Sequence, residues 1–106
     1  MGKEKYSIAI IGAGNIAAGF DSPIDDHILT HAHAIKINDR LNCLGFFDVR
    51  TGAASEASIK WDFPVLHSFQ ELIDKKPDIV VICSPDSQHV IDLRNLLTSS
   101  SVSFIV

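Results

Sequence analysis

The stretch Tyr6–Phe20, Tyr-Ser-Ile-Ala-Ile-Ile-Gly-Ala-Gly-Asn-Ile-Ala-Ala-Gly-Phe, constrains this chain more than any other. An Ile-rich apolar run passes into Gly12-Ala13-Gly14-Asn15-Ile16-Ala17, and a short helical pattern follows at once. The string has the G-x-G-x-x-G/A form with Ala in the third place. Gly12 permits a tight exit from a strand, and Gly14 lets backbone approach a pyrophosphate with no Cβ in the way. Ala17 keeps the following helix close to the sheet. The helix start then offers unpaired N–H groups and a positive dipole end to phosphate oxygens. Glycine-rich turns also end strands in proteins that bind nothing. The position after a strand pattern and before a helix pattern is what favours a dinucleotide here.

At 106 residues the chain is one small domain, expected to span 1–106 and short for a complete α/β enzyme. Its 46% apolar and 21% charged residues are ordinary for a globular protein. A formal net charge of -4 with scattered Lys and Arg argues against a nucleic-acid partner, which clustered cations would mark. No apolar run is long enough to span a bilayer, and Met1–Lys5 lacks the hydrophobic segment of a signal peptide. Cys43 and Cys83 both fall in apolar, strand-like runs. They read as free thiols acting as small hydrophobes, with no metal-ligand spacing, and a reducing cytoplasmic setting fits them.

In order along the chain, Ser7–Ile11 reads as a strand buried on both faces. Asn15–Phe20 begins a helix that Asp21-Ser22-Pro23 breaks. Pro23–Ile28 is an acidic loop, and Thr30 caps a second helical piece carrying Ala32 and Ile35 inward. Leu44–Asp48 is the second strand. Thr51–Trp61 is a helix with Ala54, Ala57 and Trp61 on one face. Pro64–Leu66 is a very short third strand, and Ser68-Phe69-Gln70-Glu71 is a capping box for a helix that stops at Pro77. Ile79–Cys83 is the fourth strand. A helix from about Gln88 carries Val90, Leu93 and Leu97 inward, and Val102–Val106 starts a fifth strand. Strands alternating with helices at this spacing predict a doubly wound parallel α/β sheet of Rossmann type, order 3-2-1-4-5. The cofactor would lie across the carboxyl ends of strands 1 and 4.

Asp48 stands where such a site needs a carboxylate for the adenosine ribose. The interval from Gly14 is 34 residues, against about 20 usually. The loop around Asp21–Thr30 would absorb the excess. The alternative is an ordinary surface Asp opening a turn. A carboxylate here favours NAD over NADP, although Arg50 could pair with a 2′-phosphate instead. Ser84-Pro85-Asp86 follows the fourth strand and should lie beneath the nicotinamide half, or serve only as a stiffened helix start. His89 could touch the nicotinamide ribose or the substrate, or be an ordinary helix residue. His31, His33, Asp25 and Asp26 could be drawn as a metal site, but a polar helix start beside a loop accounts for them better, and no metal is expected.

Taken together, Gly12–Ala17, Asp48 and Ile82-Cys83-Ser84-Pro85-Asp86-Ser87-Gln88-His89 resemble the N-terminal domain of the Gfo/Idh/MocA oxidoreductases. The resemblance covers nearly the whole chain. Its motif after strand 4, a small residue and Pro, then Asn or Asp, then His three residues later, is more diagnostic than the glycines. It implies hydride transfer between a nicotinamide ring and a carbon of a sugar, cyclitol or related small polyhydroxylated substrate. It also implies a catalytic Lys just past strand 5 and a C-terminal substrate domain, both beyond Val106. The chain thus reads as the cofactor-binding part of a longer enzyme, inactive alone. An unprotected fifth-strand edge could pair two copies into a homo-oligomer. Competing readings are a Rossmann module that senses the nicotinamide state without chemistry, and a methyltransferase-like domain binding S-adenosylmethionine.

Overall fold

The fold is that of a computed structural model that describes residues 5–14, 18–19, 22–24, 30–84, 86–99 and 104–105. Among the described residues four strands are seen: β1 (Tyr6–Ile11), β2 (Leu41–Phe47), β3 (Ile79–Ile82) and β4 (Phe104–Ile105). The helices are α1 (His31–Lys36), α2 (Thr51–Trp61), α3 (Phe69–Asp74) and α4 (Asp86–Ser99). The strands form one sheet in the order β2-β1-β3-β4, and every pairing is parallel. On the other side of β2, Val65 makes a single parallel bridge to Phe46. Phe46 N–H donates to Pro64 O at 3.0 Å, and Leu66 N–H donates to Phe46 O at 2.8 Å. The expected five-position order is therefore recognisable, with the third place reduced to one residue pair.

Alternation along β1 divides the core between two faces, because successive side chains of a strand point opposite ways. Ile8 and Ile10 pack with Ala32 and Ile35 of α1 and with Ala54, Ala57 and Trp61 of α2. Ala9 and Ile11 pack on the other face with Leu72 of α3 and Leu96 of α4. Helices cover both faces, so the strands are apolar on both sides, and the domain is a doubly wound α/β sheet.

Several local expectations change. β2 begins at Leu41, three residues early, and its register shifts at Leu44: Ile8 pairs with Cys43, and Ala9 with Gly45. Gly45 is required there. Its φ is +137°, and a Cβ would stand 2.5 Å from Pro64 O. Helix α4 begins at Asp86 rather than near Gln88. Its inward stripe is Gln88, Asp92 and Leu96, with Leu93 half-buried, whereas Val90 and Leu97 are exposed. Leu96 joins the core on that face, and Asp92 finds a polar partner at the strand end, described below. His33 is buried against Trp61, ring centroids 5.3 Å apart, and is not a polar helix start. The Ser68 cap holds: its Oγ accepts from Glu71 N–H at 3.0 Å. Thr30 likewise caps α1 by accepting from His33 N–H at 3.2 Å.

Candidate functional site

The carboxyl ends of β1, β2 and β3 meet at one rim, and Gly12 is where they are pinned together. Its N–H donates to Phe47 O at 2.7 Å, and Cys83 N–H donates to Ile11 O at 2.7 Å. Gly12 has φ +93°, and a Cβ there would sit 2.8 Å from Cys83 C and Ser84 N. Only glycine fits both the left-handed backbone and the close approach. Gly14 differs. A Cβ on it would meet only the Arg50 guanidinium, at 3.6 Å. No packing among the described residues demands a glycine at that position.

Asp48 follows β2 and is buried at this rim. Its Oδ2 accepts from Ala13 N–H at 2.8 Å and from Arg50 Nη2 at 3.1 Å. Its Oδ1 accepts from Arg50 N–H at 2.8 Å and Arg50 Nε at 3.3 Å. Four donors match the acceptor sites of one carboxylate. Burial alone would push the Asp48 carboxyl up. The Arg50 guanidinium and the backbone N–H groups of Arg50 and Ala13 outweigh it and hold the carboxyl below its ordinary range. Such a group stabilises the fold above its unfolded pKa of about 3.9 and loses that contribution as pH falls through the lower folded value. The melting-temperature gap between wild type and Asp48→Asn is therefore expected to be full at pH 7 and to close below about pH 4. A gap unchanged down to pH 3 in thermal melts would refute this.

The glycine turn is held from its far side as well. Trp61 Nε1 donates to Ala18 O at 2.8 Å, and Lys60 Nζ donates to Ala18 O and Gly19 O at 3.1 Å each. Two clefts open here. One of about 400 Å³ runs along α2 past Gly14, Ala18, Arg50 and Lys60. A smaller one, about 230 Å³, lies across the strand ends and touches Gly12, Asp48 and Ser84. The smaller one joins all three strand ends at the point where strand order reverses, so it is the crevice in which ligands of such sheets bind.

Gly12, Ala13, Gly14, Asp48, Arg50 and Ser84 are thus brought to one rim, Gly12, Asp48, Arg50 and Ser84 all lining the smaller cleft. Asn15, Ile16, Pro85, Asp25 and Asp26 lie outside the described residues. So does the side chain of His89, although its backbone falls within α4. Among the described residues, no three His, Cys, Asp or Glu are grouped to hold a metal ion, and no helix is long and apolar enough to cross a membrane. Burial pushes the thiols up, Cys43 to about 12 and Cys83 to about 11, so neither is a nucleophile at neutral pH.

Sequence reasoning missed Asp92. This acid is 3% exposed on α4. Its Oδ2 accepts from Ser84 Oγ at 2.6 Å, and its Oδ1 accepts from Gln88 Nε2 at 3.2 Å. The signal was present: an acid at the centre of the i, i+4, i+8 stripe Gln88–Asp92–Leu96 needs a buried partner.

Residues 6–101 match the family model described as "Oxidoreductase family, NAD-binding Rossmann fold", Gfo/Idh/MocA. The chain belongs to that family. The match is to that family's NAD-binding Rossmann domain. No curated protein matches it. Among solved structures it is similar to GenD2 from gentamicin A biosynthesis, in complex with NAD, at 14% identity and a TM-score of 0.70, over 92% of this chain and 25% of that one. It is also similar to UDP-N-acetylglucosamine 3-dehydrogenase GnnA from Acidithiobacillus ferrooxidans, at 22% identity. There the TM-score is 0.67, over 95% of this chain and 29% of that one. At these identities the likeness is one of fold. The chain spans between a quarter and a third of the length of either structure.

Proposed function

We propose that this domain holds NAD for an oxidoreductase acting on a sugar, cyclitol or related polyol. The observation that carries it is the contrast between the two glycines: Gly12 is demanded by the protein's own backbone, whereas Gly14 keeps clear a space that the described structure does not use. A pyrophosphate would lie against Gly12–Asn15 and Ile16, and the adenosine ribose against Asp48. When bound, the nicotinamide ring supplies the hydride acceptor or donor, and the protein positions it. By the family's motif after β3, Ser84, Pro85 and His89 are the residues proposed to serve the cofactor's remaining length. The family's catalytic Lys and substrate domain would follow Val106, so this chain alone should bind without turnover. The GenD2 complex with NAD and the sugar-nucleotide specificity in GnnA's name support the class of cofactor and substrate.

Asp48 reaches the ribose only if Arg50 gives way. That side chain is 62% exposed, so its pairing with Asp48 is weakly held against solvent. Displacing it costs little, and ribose hydroxyls can then replace its N–H donors. A bound 2′-phosphate would instead draw Arg50 off but face the Asp48 charge, so NAD is preferred to NADP.

Calorimetric titration with NAD and NADP tests this reading. NAD should bind more tightly, and Asp48→Ala should weaken NAD by about 1.5–3 kcal/mol, the scale of hydrogen bonds to a charged group, while narrowing the preference. Tighter binding of NADP to the wild type would make Arg50 the reader and overturn the assignment of Asp48. Binding of neither nucleotide by the folded chain would remove the cofactor role altogether.

A further inference from the structure

Ala18 and Gly19, just past the glycine turn, are held by side chains of another helix. Their N–H groups both donate to Gly14 O, at 2.9 and 3.1 Å. At Ser22 the backbone is no longer helical. Pro23, four residues after Gly19, has no N–H to offer its carbonyl. Carbonyls at such an end need donors from elsewhere. The last turn of α2 supplies them: Ala18 O accepts from Trp61 Nε1 and Lys60 Nζ, and Gly19 O accepts from Lys60 Nζ. A lysine in the last turn of a helix ordinarily serves that helix's own carbonyls. Lys60 reaches across to a different segment instead.

Trp61 is the fixed end of this arrangement. It is wholly buried, in one core cluster with Ile8, Ile10, Ala54 and Ala57. The His33 ring packs on it, and Lys36 Nζ donates to Trp61 O at 3.0 Å. A buried indole N–H needs an acceptor, and the packing of the ring sets the direction in which it points. Ala18 O is therefore placed by the core. Through the Ala18 and Gly19 N–H groups, the same placement orients the Gly14 carbonyl. At the opposite end, Gly12 N–H is anchored on Phe47 O and Ala13 N–H on Asp48 Oδ2. The glycine turn is thus tied to the sheet at one end and to α2 at the other.

On the reading that this turn takes the pyrophosphate of NAD, we infer that Trp61 and Lys60 are positioning residues for that site, holding the turn through Ala18 O and Gly19 O in the shape that binds. A turn ordered in advance loses less conformational freedom when the ligand arrives, and the saving appears as affinity. Lys60 also lines the larger cleft beside Gly14, so its charge acts on an anion there directly as well. Trp61 has no exposed surface and cannot touch the ligand. It is the residue that separates positioning from direct attraction.

Calorimetric titration with NAD, at a temperature where thermal melts show each variant folded, tests this. Trp61→Phe keeps an aromatic ring in the core and removes the donor, and it should weaken NAD about fivefold. Lys60→Met should weaken it about tenfold, whereas Lys60→Arg, which keeps charge and donors, should stay within about twofold of wild type. Leu72→Val, in the core cluster on the other face of the sheet, should lower the melting temperature and leave the affinity unchanged. Lost stability alone does not alter the Kd of molecules that remain folded. Wild-type affinity in folded Trp61→Phe would overturn the inference and leave the NAD assignment standing. Failure of the wild type to bind NAD would overturn both. If Trp61→Phe does not fold, Lys60→Met decides at about 1 M salt, where screening acts within about 3 Å. A weakening that persists there supports positioning, and one that vanishes refutes it.

Discussion

Gly14→Val is expected to abolish NAD binding while leaving the melting temperature nearly unchanged. Among the described residues, a Cβ at this position meets only the far end of the Arg50 side chain, at 3.6 Å. That side chain is 62% exposed and can swing aside, so the apo protein is expected to accommodate the new side chain without moving backbone. The space the new side chain fills is the one above the turn through which a pyrophosphate must come within hydrogen-bonding reach of main-chain N–H groups. Binding should fall below detection in calorimetry, with thermal melts matching the wild type. A folded variant with unchanged affinity would show that this turn does not hold the pyrophosphate.

Gly12→Ala, two residues earlier, should do the reverse and cost the fold. The left-handed backbone at φ +93° is unfavourable for any residue with a Cβ by about 1–2 kcal/mol. The new methyl would also stand 2.8 Å from Cys83 C and Ser84 N, which are backbone atoms and cannot rotate away. Relief requires β1 and β3 to part at their carboxyl ends, where Cys83 N–H donates to Ile11 O. A loss of at least about 2 kcal/mol follows, which for a domain of this size lowers the melting temperature by roughly 10 °C or more. A variant melting within two or three degrees of wild type, about half a kcal/mol, would mean that the crossing is looser than the structure shows. The pair of substitutions separates two jobs that the G-x-G spacing presents as one.

Much of this was legible in the residues. The continuous apolar runs Ser7–Ile11 and Ile79–Cys83, buried from both sides, identified the central strands, and the strand–glycine–helix succession located the rim. Small residues at helical spacing, Ala54 and Ala57 with Trp61, marked the buried face of α2. These signals are local, because periodicity and turn chemistry act within a few residues.

What lies between distant segments was not legible. Gly45 looks like a weak place in a strand until Pro64 O is found where its Cβ would be. Asp92 reads as a polar interruption of an apolar stripe until Ser84 turns its hydroxyl onto it; α4 then buries Asp92 with Leu96 and leaves Val90 and Leu97 facing outward. Asp48 was recognisable as a carboxylate at a strand end. That it braces the glycine turn through Ala13 N–H and is shielded by Arg50 depended on two loops meeting. The sequence by itself determined the order of elements and the place of the rim, since both follow from local backbone preference and burial. Only the tertiary structure decided which donor faces which acceptor there, because hydrogen-bond partners are chosen by distances across the fold and not along the chain.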